Sequence, residues 1–332
     1  MNRTRGICRG DKPVGIRAHP AGAGENNEQK MDYPTVSVII ATYNRDEPLC
    51  SAISSVLAQE YPGKMQLIVV DQSPGHSEEV AAFLRQQEKE LRYLRLAEPN
   101  LPAARNAGVA EACGELLLFV DDDMILPRDV VSRLASHFQS QGSRALSGLL
   151  VSEKDPETFL KRYAQEYGPR VLSPNPNLIE TRPIGGLMCM CVPAETVRLV
   201  GGFDEKLGRL TPTACEEDYD FCYRLREAHV RLFIDPSVRV THRNVPGGCE
   251  SRKIDHELTV RYNMRALAYM SLKYHGRVGL RGWAWILRGY VLNRATLRIG
   301  IRHVLKRFSL ARRAVAEARG FGAVESAGPS RQ

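Results

Sequence analysis

The chain has 332 residues, of which 43% are hydrophobic and 25% are charged, and its net charge is +8. This composition is typical of a globular protein and excludes collagenous, coiled-coil and largely disordered chains. The charge is unevenly distributed, because residues 251–332 contain 17 lysines and arginines but only 4 aspartates and glutamates. The sequence contains no run of about 18 apolar residues, the pattern that would predict a membrane-spanning helix.

Residues 1–33 are polar and lack hydrophobic periodicity, which predicts a disordered lead-in. They also lack the apolar stretch of a secretory signal. The eight cysteines include no CxxC pair and no zinc-ligand spacing. This usage favours reduced cysteines in a cytoplasmic protein over a redox or metal-binding role.

Short apolar runs alternate with helical patterns in the first half of the chain. The predicted strands span 36–41, 67–70, 91–96 and 115–120, and the predicted helices span 48–60, 77–88 and 103–112. Continuous apolar strands that alternate with helices predict an α/β, Rossmann-like fold, with a mostly parallel sheet and helices on both faces. In such sheets, ligands bind beyond the carboxyl ends of the strands.

The second half is less regular. We predict a loop or short helical segment over 156–183, a strand over 187–192, helices over 194–200 and 216–228, and short strands at 232–234 and 238–240. From 255 to about 318 the pattern is helical. The predicted organisation is therefore an α/β domain over 34–250, a basic helical C-terminal region over 251–320 and a disordered tail over 321–332.

Polar clusters follow three of the predicted strands, at 42–45, 71–73 and 121–123. The last cluster is three consecutive aspartates, which repel one another unless a cation neutralises them. Carboxylate oxygens at a strand end suit Mg²⁺ or Mn²⁺, which bridge to a diphosphate. A solvated acidic turn before the helix that starts near Pro127 is the alternative interpretation.

Several segments resemble, in order and spacing, the inverting GT-A glycosyltransferases of family 2. They are 38–45, 69–71, 103–108, 114–123, 201–205 and 216–224. The resemblance implies a GT-A fold whose first half binds a nucleotide-sugar donor. The chain departs from the family at 71–75, where it reads Asp-Gln-Ser-Pro-Gly instead of the usual Asp-Asp-Gly-Ser.

The resemblance also implies roles for individual residues. The donor site would comprise Thr42, Tyr43, Asn44 and Arg45 around the nucleotide, Asp71 at the base, Arg105 facing the donor and Asp122 at the ribose. The metal, Mg²⁺ or Mn²⁺, would be held by Asp123 with help from Asp121, and His242 would reach the metal or the diphosphate. Structural roles for Asp71, Arg105 and His242 stay open as alternatives.

Inverting transfer needs a base that removes the proton of the acceptor hydroxyl, on the side of the sugar opposite the leaving diphosphate. A second acidic cluster, Glu216–Asp218, follows the first by about 95 residues. The family's Glu-Asp pair matches Glu217 and Asp218, and we predict Asp218 as the general base with Glu217 as the alternative. Ordinary acidic enrichment in a first helical turn is the structural explanation.

The basic C-terminal region has an apolar stripe from Trp283 to Phe308, flanked by arginines and lysines. The stripe predicts an amphipathic helix of about seven turns. Such a helix is typical of a protein that lies on an anionic membrane surface, and packing against the catalytic domain is the alternative. Nucleic acid is not a predicted partner, because the basic residues accompany no nucleic-acid-binding motif.

These features predict metal-dependent, inverting transfer of a hexosyl or related sugar from a nucleotide-sugar to a hydroxyl acceptor. The acceptor would be a glycan or lipid-linked precursor of a surface polysaccharide, and the enzyme would be cytoplasmic or peripheral on the inner face of the cell membrane. A nucleotidyltransferase is an alternative, but it should have a glycine-rich loop after the first strand, and 42–46 contain no glycine. A non-catalytic nucleotide-sugar-binding protein is another, although it would not need Asp218.

Overall fold

The structure is a computed structural model that describes residues 33–138, 144–167, 178–181, 189–210, 216–243, 245 and 256–326. The predicted lead-in, apart from residue 33, lies outside the described residues. The same holds for the predicted tail beyond residue 326. Residues 321–326 are part of the predicted tail, but they belong to the last helix, Ile301–Ser326.

The first half has the predicted alternation of parallel strands and helices. Its elements are β1 (Val36–Thr42), α1 (Glu47–Leu57), β2 (Met65–Asp71), α2 (Glu78–Gln86), β3 (Leu91–Arg95), α3 (Leu101–Glu111) and β4 (Leu116–Asp121). Strands β2 and β4 flank β1 and run parallel to it, and β3 pairs with β2. The Ser77 side chain caps α2, and the Asn100 side chain caps α3. Such caps satisfy helix N–H groups that have no partner within the helix.

The second half completes a nine-stranded sheet among the described residues. Its elements are β5 (Met124–Ile125), α4 (Val130–Ser136), β6 (Arg144–Ser152), α5 (Pro156–Tyr167), β7 (Ile179–Thr181), β8 (Cys189–Pro193), α6 (Ala194–Val200), α7 (Glu205–Leu210), α8 (Glu217–Glu227) and β9 (Arg231–His242). The strand order is β3-β2-β1-β4-β8-β6-β9-β5, and β7 pairs with β9. Strands β5, β7 and β8 run opposite to the other six, so the sheet is mostly parallel, as predicted.

Several details of this half differ from the sequence analysis, which does not predict strands β5 and β7 or helix α7. Strand β6 is not predicted either, although six of its nine residues are buried. The two predicted short strands are one strand, β9, whose register against β6 shifts between Gly148 and Leu149. The shift falls opposite Pro236, which has no N–H to give to a sheet and is tolerated at such irregularities.

Helices cover both faces of the sheet, and each face has its own hydrophobic core. Val38 and Ile40 of β1 pack with α1 on one face, whereas Ile39 packs with α3 on the other. All three side chains are almost completely buried. Gly108 lets α3 approach β1 closely, because a Cβ there would lie 2.4 Å from Cγ2 of Ile39. The loops between β1, β2, β4 and their helices are thereby held against one edge of the sheet.

The C-terminal region is helical but is not the single helix predicted from the stripe. It comprises α9 (His256–His275), α10 (Leu280–Ile286), a π-helical turn (Leu287–Val291), α11 (Arg294–Ile299) and α12 (Ile301–Ser326). The stripe prediction was wrong because Asn293 starts a new helix by capping Thr296 N–H, and Gly300 turns the chain at φ 114°. Helices α9 and α12 enclose a third hydrophobic core. No helix in the described ranges is long and apolar enough to cross a membrane.

Candidate active site

The three polar clusters predicted from the sequence meet at one edge of the sheet. Thr42 lies opposite Asp71 in the β1–β2 ladder, and Ala41 lies opposite Asp121 in the β1–β4 ladder. The carboxyl ends of parallel strands share an edge, so this meeting follows from the strand order. The three clusters therefore lie together at the edge where the sequence analysis predicts ligand binding.

The loop after β1 is tied directly to the aspartates. The Thr42 hydroxyl donates to Asp122 Oδ2 at 2.7 Å, and Arg45 Nη1 lies 2.8 Å from Asp123 Oδ2. Asn44 is in the left-handed region at φ 52°, and its N–H donates to Ser73 Oγ at 2.9 Å. Tyr43 is half-buried beside them. Of the predicted donor residues, Thr42 and Arg45 thus contact the acidic strand end directly, whereas Asn44 is tied to the loop after β2.

The three aspartates have different electrostatic environments. Burial opposes ionisation of Asp123, but His242 Nε2 at 3.2 Å and Arg45 outweigh it and lower its pKa. Burial raises the pKa of Asp122 to about 7, although Arg45 and Thr42 act in the opposite direction. Burial also raises the pKa of Asp121, against the effect of Arg105. Of the three carboxyl groups, Asp123 is therefore the one whose charged form its neighbours stabilise most clearly.

A bound divalent cation fits Asp123 and His242 better than it fits the whole triplet. In the part of the chain that the structure describes, no three His, Cys, Asp or Glu side chains are grouped as a metal site. However, Asp123 and His242 come together, and carboxylate oxygen and imidazole nitrogen are both ligands that Mn²⁺ accepts. Metals in phosphate chemistry commonly use few protein ligands and take the others from substrate and water. Asp121 instead accepts a hydrogen bond from Arg105.

One buried arginine joins the two acidic clusters. Arg105 Nη1 donates to Glu217 Oε1 at 3.0 Å, and Nη2 donates to Asp121 Oδ1 at 3.3 Å. Its guanidinium also lies over the Phe203 ring, 5.3 Å from the centroid. Arg105 is only 4% exposed. Arg105 therefore fixes the distance between Asp121 and Glu217, one carboxylate from each acidic cluster.

The second acidic cluster separates a buried carboxylate from an accessible one. Glu216 adopts φ 74° just before α8, and the chain turns so that Glu217 is buried and Asp218 is partly exposed. Burial raises the pKa of Glu217, and the neighbouring charge of Asp218 adds to the effect. Burial and Asp218 also raise the pKa of Glu216 to about 7. Of the two predicted bases, Asp218 is the one that a substrate can reach more easily.

Asp71 lies in a network that the sequence analysis missed. It accepts hydrogen bonds from Ser73 N–H at 2.8 Å and from the Tyr93 hydroxyl, and His76 Nε2 lies 2.8 Å from its Oδ2. His76 Nδ1 is 2.7 Å from Asp46 Oδ1, so this histidine joins two carboxylates. Despite burial, the hydrogen bonds from Ser73 and Tyr93 lower the pKa of Asp71. The available signal was the departure from the family motif, which His76 directly follows.

The family model described as Glycosyl transferase family 2 matches residues 37–205, about half of the chain. The chain belongs to glycosyltransferase family 2. An N-acetylglucosaminyltransferase of Mesorhizobium japonicum is 33% identical over 171 residues, covering 50% of this chain and 40% of the relative. Another, of Rhizobium meliloti, is 30% identical over 232 residues, covering 67% and 54%. The chain thus spans about half the length of these curated relatives.

Solved structures show the same fold for this family 2 protein. A mannosyltransferase from Pyrobaculum calidifontis, in complex with GDP-Man and Mn²⁺, aligns with a TM-score of 0.53 at 17% identity, over 91% of this chain and 77% of that one. GalNAc-T7 with UDP, GalNAc and Mn²⁺ aligns with a TM-score of 0.52 at 14% identity, over 71% and 48%. The predicted GT-A fold is confirmed.

The C-terminal region of this family 2 protein contacts α8 through side chains of α9. Asp220 is completely buried and accepts from Lys273 Nζ at 2.6 Å and from the Tyr274 hydroxyl at 2.5 Å. Lys273 also bonds Asp204 at 2.7 Å. Sequence analysis could not find this contact, because Lys273 follows Asp220 by 53 residues. Helix α9 therefore helps to position the helix that begins with Glu217 and Asp218.

Proposed function

We propose that this protein transfers a sugar, with inversion, from a nucleotide-sugar to a hydroxyl acceptor with the help of Mg²⁺ or Mn²⁺. The observation that carries the proposal is the pair of acidic clusters joined by Arg105 beside the carboxyl ends of the strands. Displacement at the anomeric carbon needs one acidic centre for the diphosphate side and another for the acceptor side. The names of the relatives support N-acetylglucosamine as the first sugar to test.

The donor would lie across the carboxyl ends of β1, β2 and β4. In this proposal, Thr42, Tyr43, Asn44 and Arg45 line the nucleotide, and the Asp122 carboxylate contacts the ribose. Asp71 accepts a hydrogen bond from the base, held in place by His76 and Tyr93. Asp123 and His242 would hold the cation, and when bound there it supplies positive charge against the leaving diphosphate.

Asp218 would act as the general base. Its neighbour Glu217 is buried and paired with Arg105, so Glu217 is better suited to orient the start of α8 than to meet an acceptor hydroxyl. Asp218 is the partly exposed member of the pair. It would take the proton of the hydroxyl as the oxygen attacks the sugar, a contribution typically worth about 10²–10⁴-fold in rate.

The proposed acceptor is a glycan or a lipid-linked precursor of a surface polysaccharide. A lipid-linked acceptor would require the enzyme to work at the inner face of the cell membrane. The excess of basic residues in 251–332 supports this peripheral location, because anionic lipids attract lysine and arginine.

The test is Asp218→Asn, with Glu227→Gln as the matched control at the exposed end of the same helix. Nucleotide-sugars would be screened with Mn²⁺ and a panel of glycan acceptors, donor binding measured by calorimetry, and the anomer of the product read by NMR. We expect Asp218→Asn to bind the donor like the wild type but to lose about 10²–10⁴-fold in transfer. Glu227→Gln should transfer normally.

Three results would contradict the proposal. The first is that the wild type transfers no sugar from any donor in the panel. The second is that Asp218→Asn turns over within a few-fold of the wild type. The third is a product that retains the anomeric configuration of the donor, which would exclude the single displacement on which the role of Asp218 depends.

A further inference from the structure

Large exposed hydrophobic side chains are concentrated in the C-terminal helices. Among the described residues, ten large hydrophobic side chains are strongly exposed, and eight of them lie between residues 280 and 308. The eight are Leu280, Trp285, Leu292, Leu297, Ile299, Ile301, Leu305 and Phe308. Single exposed hydrophobic residues are normal, but a concentration of this kind marks an interaction site.

These side chains are additional to the core of the helical region. Buried residues such as Ile286, Val291 and Ala314 already pack α10, the π-helical turn and α12 against α9. On α12, Ile301, Leu305 and Phe308 are spaced by four and three residues, which places them on one side of the helix. Phe308 stacks on Trp283 with ring centroids 6.4 Å apart. The contact joins α10 to α12.

The same segment is strongly basic. Residues 280–308 contain seven lysines and arginines and no aspartate or glutamate. Five of the basic residues are exposed, namely Arg288, Arg294, Arg298, Arg302 and Lys306. We call the eight exposed hydrophobic residues together with these five basic residues the apolar-basic surface. Hydrophobic side chains and cations on the same helices match the acyl chains and phosphates of an anionic lipid layer.

Other occupants fit this charge pattern less well. A second copy docked through the same surface would bring two positively charged segments together, with no acidic residue in 280–308 of either copy to compensate. Nucleic acid would match the cations, but it would leave aliphatic side chains such as Leu280 and Ile301 without a partner. A lipid surface satisfies both, because tryptophan and arginine place apolar stems in the acyl region and polar groups among the headgroups.

We propose that the apolar-basic surface docks α10, α11 and α12 onto an anionic phospholipid layer. The hydrophobic side chains enter the boundary between headgroups and acyl chains, and the exposed arginines contact the phosphates. This docking deepens the proposed peripheral location by naming the residues that carry it. It does not depend on which sugar is transferred.

The experiment measures binding of the full chain to phosphatidylcholine vesicles with and without phosphatidylglycerol, in the absence of any nucleotide-sugar. We expect binding to the anionic vesicles that weakens as salt screens the charges. The triple variant Arg294→Gln, Arg298→Gln and Arg302→Gln should bind on the order of 100-fold more weakly, since each basic residue near such a surface contributes about fivefold. Its control is a triple variant with the same change in charge on α2, β3 and the loop between them: Arg85→Gln, Lys89→Gln and Arg92→Gln.

A second pair of variants tests the hydrophobic part. Trp285→Ser should weaken binding by at least roughly tenfold, because the variant lacks the large side chain that moves from water into the lipid layer on binding. Leu199→Ser is the control, because Leu199 and Trp285 are both 72% exposed and Leu199 lies outside the apolar-basic surface. Circular dichroism of each variant checks that it is folded.

Several outcomes would overturn the docking proposal. One is that the wild type does not bind anionic vesicles at low salt. Another is that the triple arginine variant and Trp285→Ser both bind as the wild type does. A third is tighter binding to RNA than to vesicles with no effect of Trp285→Ser. Transfer to a soluble acceptor should be unchanged in these variants, so a protein that binds vesicles but transfers no sugar contradicts the proposed function and not the docking.

Discussion

Replacing Arg105 with methionine removes the positive charge that joins the two acidic clusters. Arg105 is 4% exposed, and methionine has a similar length and can keep the contact with Phe203. The substitution leaves Glu217 without its only cation within hydrogen-bonding distance among the described residues. Its second carboxylate oxygen, Oε2, is buried and already has no hydrogen-bond partner among those residues. Water cannot readily replace the lost contact.

The size of the effect follows from burial. At a pH above the raised pKa of Glu217, removing one partner of this buried ion pair should cost about 3–5 kcal/mol, the typical loss when the other charge stays buried. Losing the contact between Arg105 and Asp121 adds less to this cost, since the Asp121 side chain is 28% exposed and water can solvate it. For a domain of this size, that loss lowers the melting temperature by roughly 6–20 °C. Arg105→Met combined with Glu217→Gln should recover about 1–3 kcal/mol, because the double variant no longer buries an unpaired charge.

Urea unfolding followed by circular dichroism measures these free energies. The matched control is Arg92→Met, whose guanidinium lies 3.1 Å from Glu111 but whose side chain is 58% exposed. An exposed pair of this kind is worth about 0–1 kcal/mol. If Arg105→Met costs no more than Arg92→Met, or if the double variant is no more stable than Arg105→Met, then Arg105 does not neutralise Glu217 as described.

Lys273→Met breaks the link between α9 and α8 and should lower the free energy of unfolding by roughly 2–3 kcal/mol, whereas the exposed Lys161→Met should change it little. Burial raises the folded-state pKa of Glu216 from 4.5 to about 7 and also raises that of Glu217. The native state therefore holds protons that the unfolded chain has released, so the melting temperature should fall as pH rises through this window, less steeply in Glu217→Gln. Asp123→Ala should abolish cation-dependent binding of a nucleotide-sugar in calorimetry, and equal binding by the wild type with a chelator would contradict the metal proposal.

The first half of the fold could be predicted from local patterns. The strand at 36–41 is apolar at nearly every position and is followed directly by polar residues, as are the strands ending at Val70 and Val120. Parallel strands place their carboxyl ends at one edge, so a common edge for Thr42, Asp71 and Asp121 could be predicted without knowing the strand order. Strand β9 was harder to predict, because Pro236 interrupts its pattern and only the pairing with β6 bridges the interruption.

The partners of the charged residues could not be predicted in the same way. Arg105 and Glu217 are 112 residues apart, and nothing in either local pattern states that they meet. His76 likewise acquires its role only because the loop after β2 brings it between Asp46 and Asp71. A charged side chain can pair with any opposite charge within reach, and the packing of the helices on the sheet decides which charge that is.

The C-terminal region shows the same division most clearly. The sequence by itself determined that residues beyond 255 are helical, basic and periodically apolar, because propensity, charge and spacing are local properties. It could not determine which apolar residues are buried. Asn293 and Gly300 divide the stripe, and packing against α9 buries Ala311 and Val315 while Ile301 and Leu305 stay exposed. A hydrophobic side chain leaves water only where another element covers it, and the tertiary structure alone decides where that occurs.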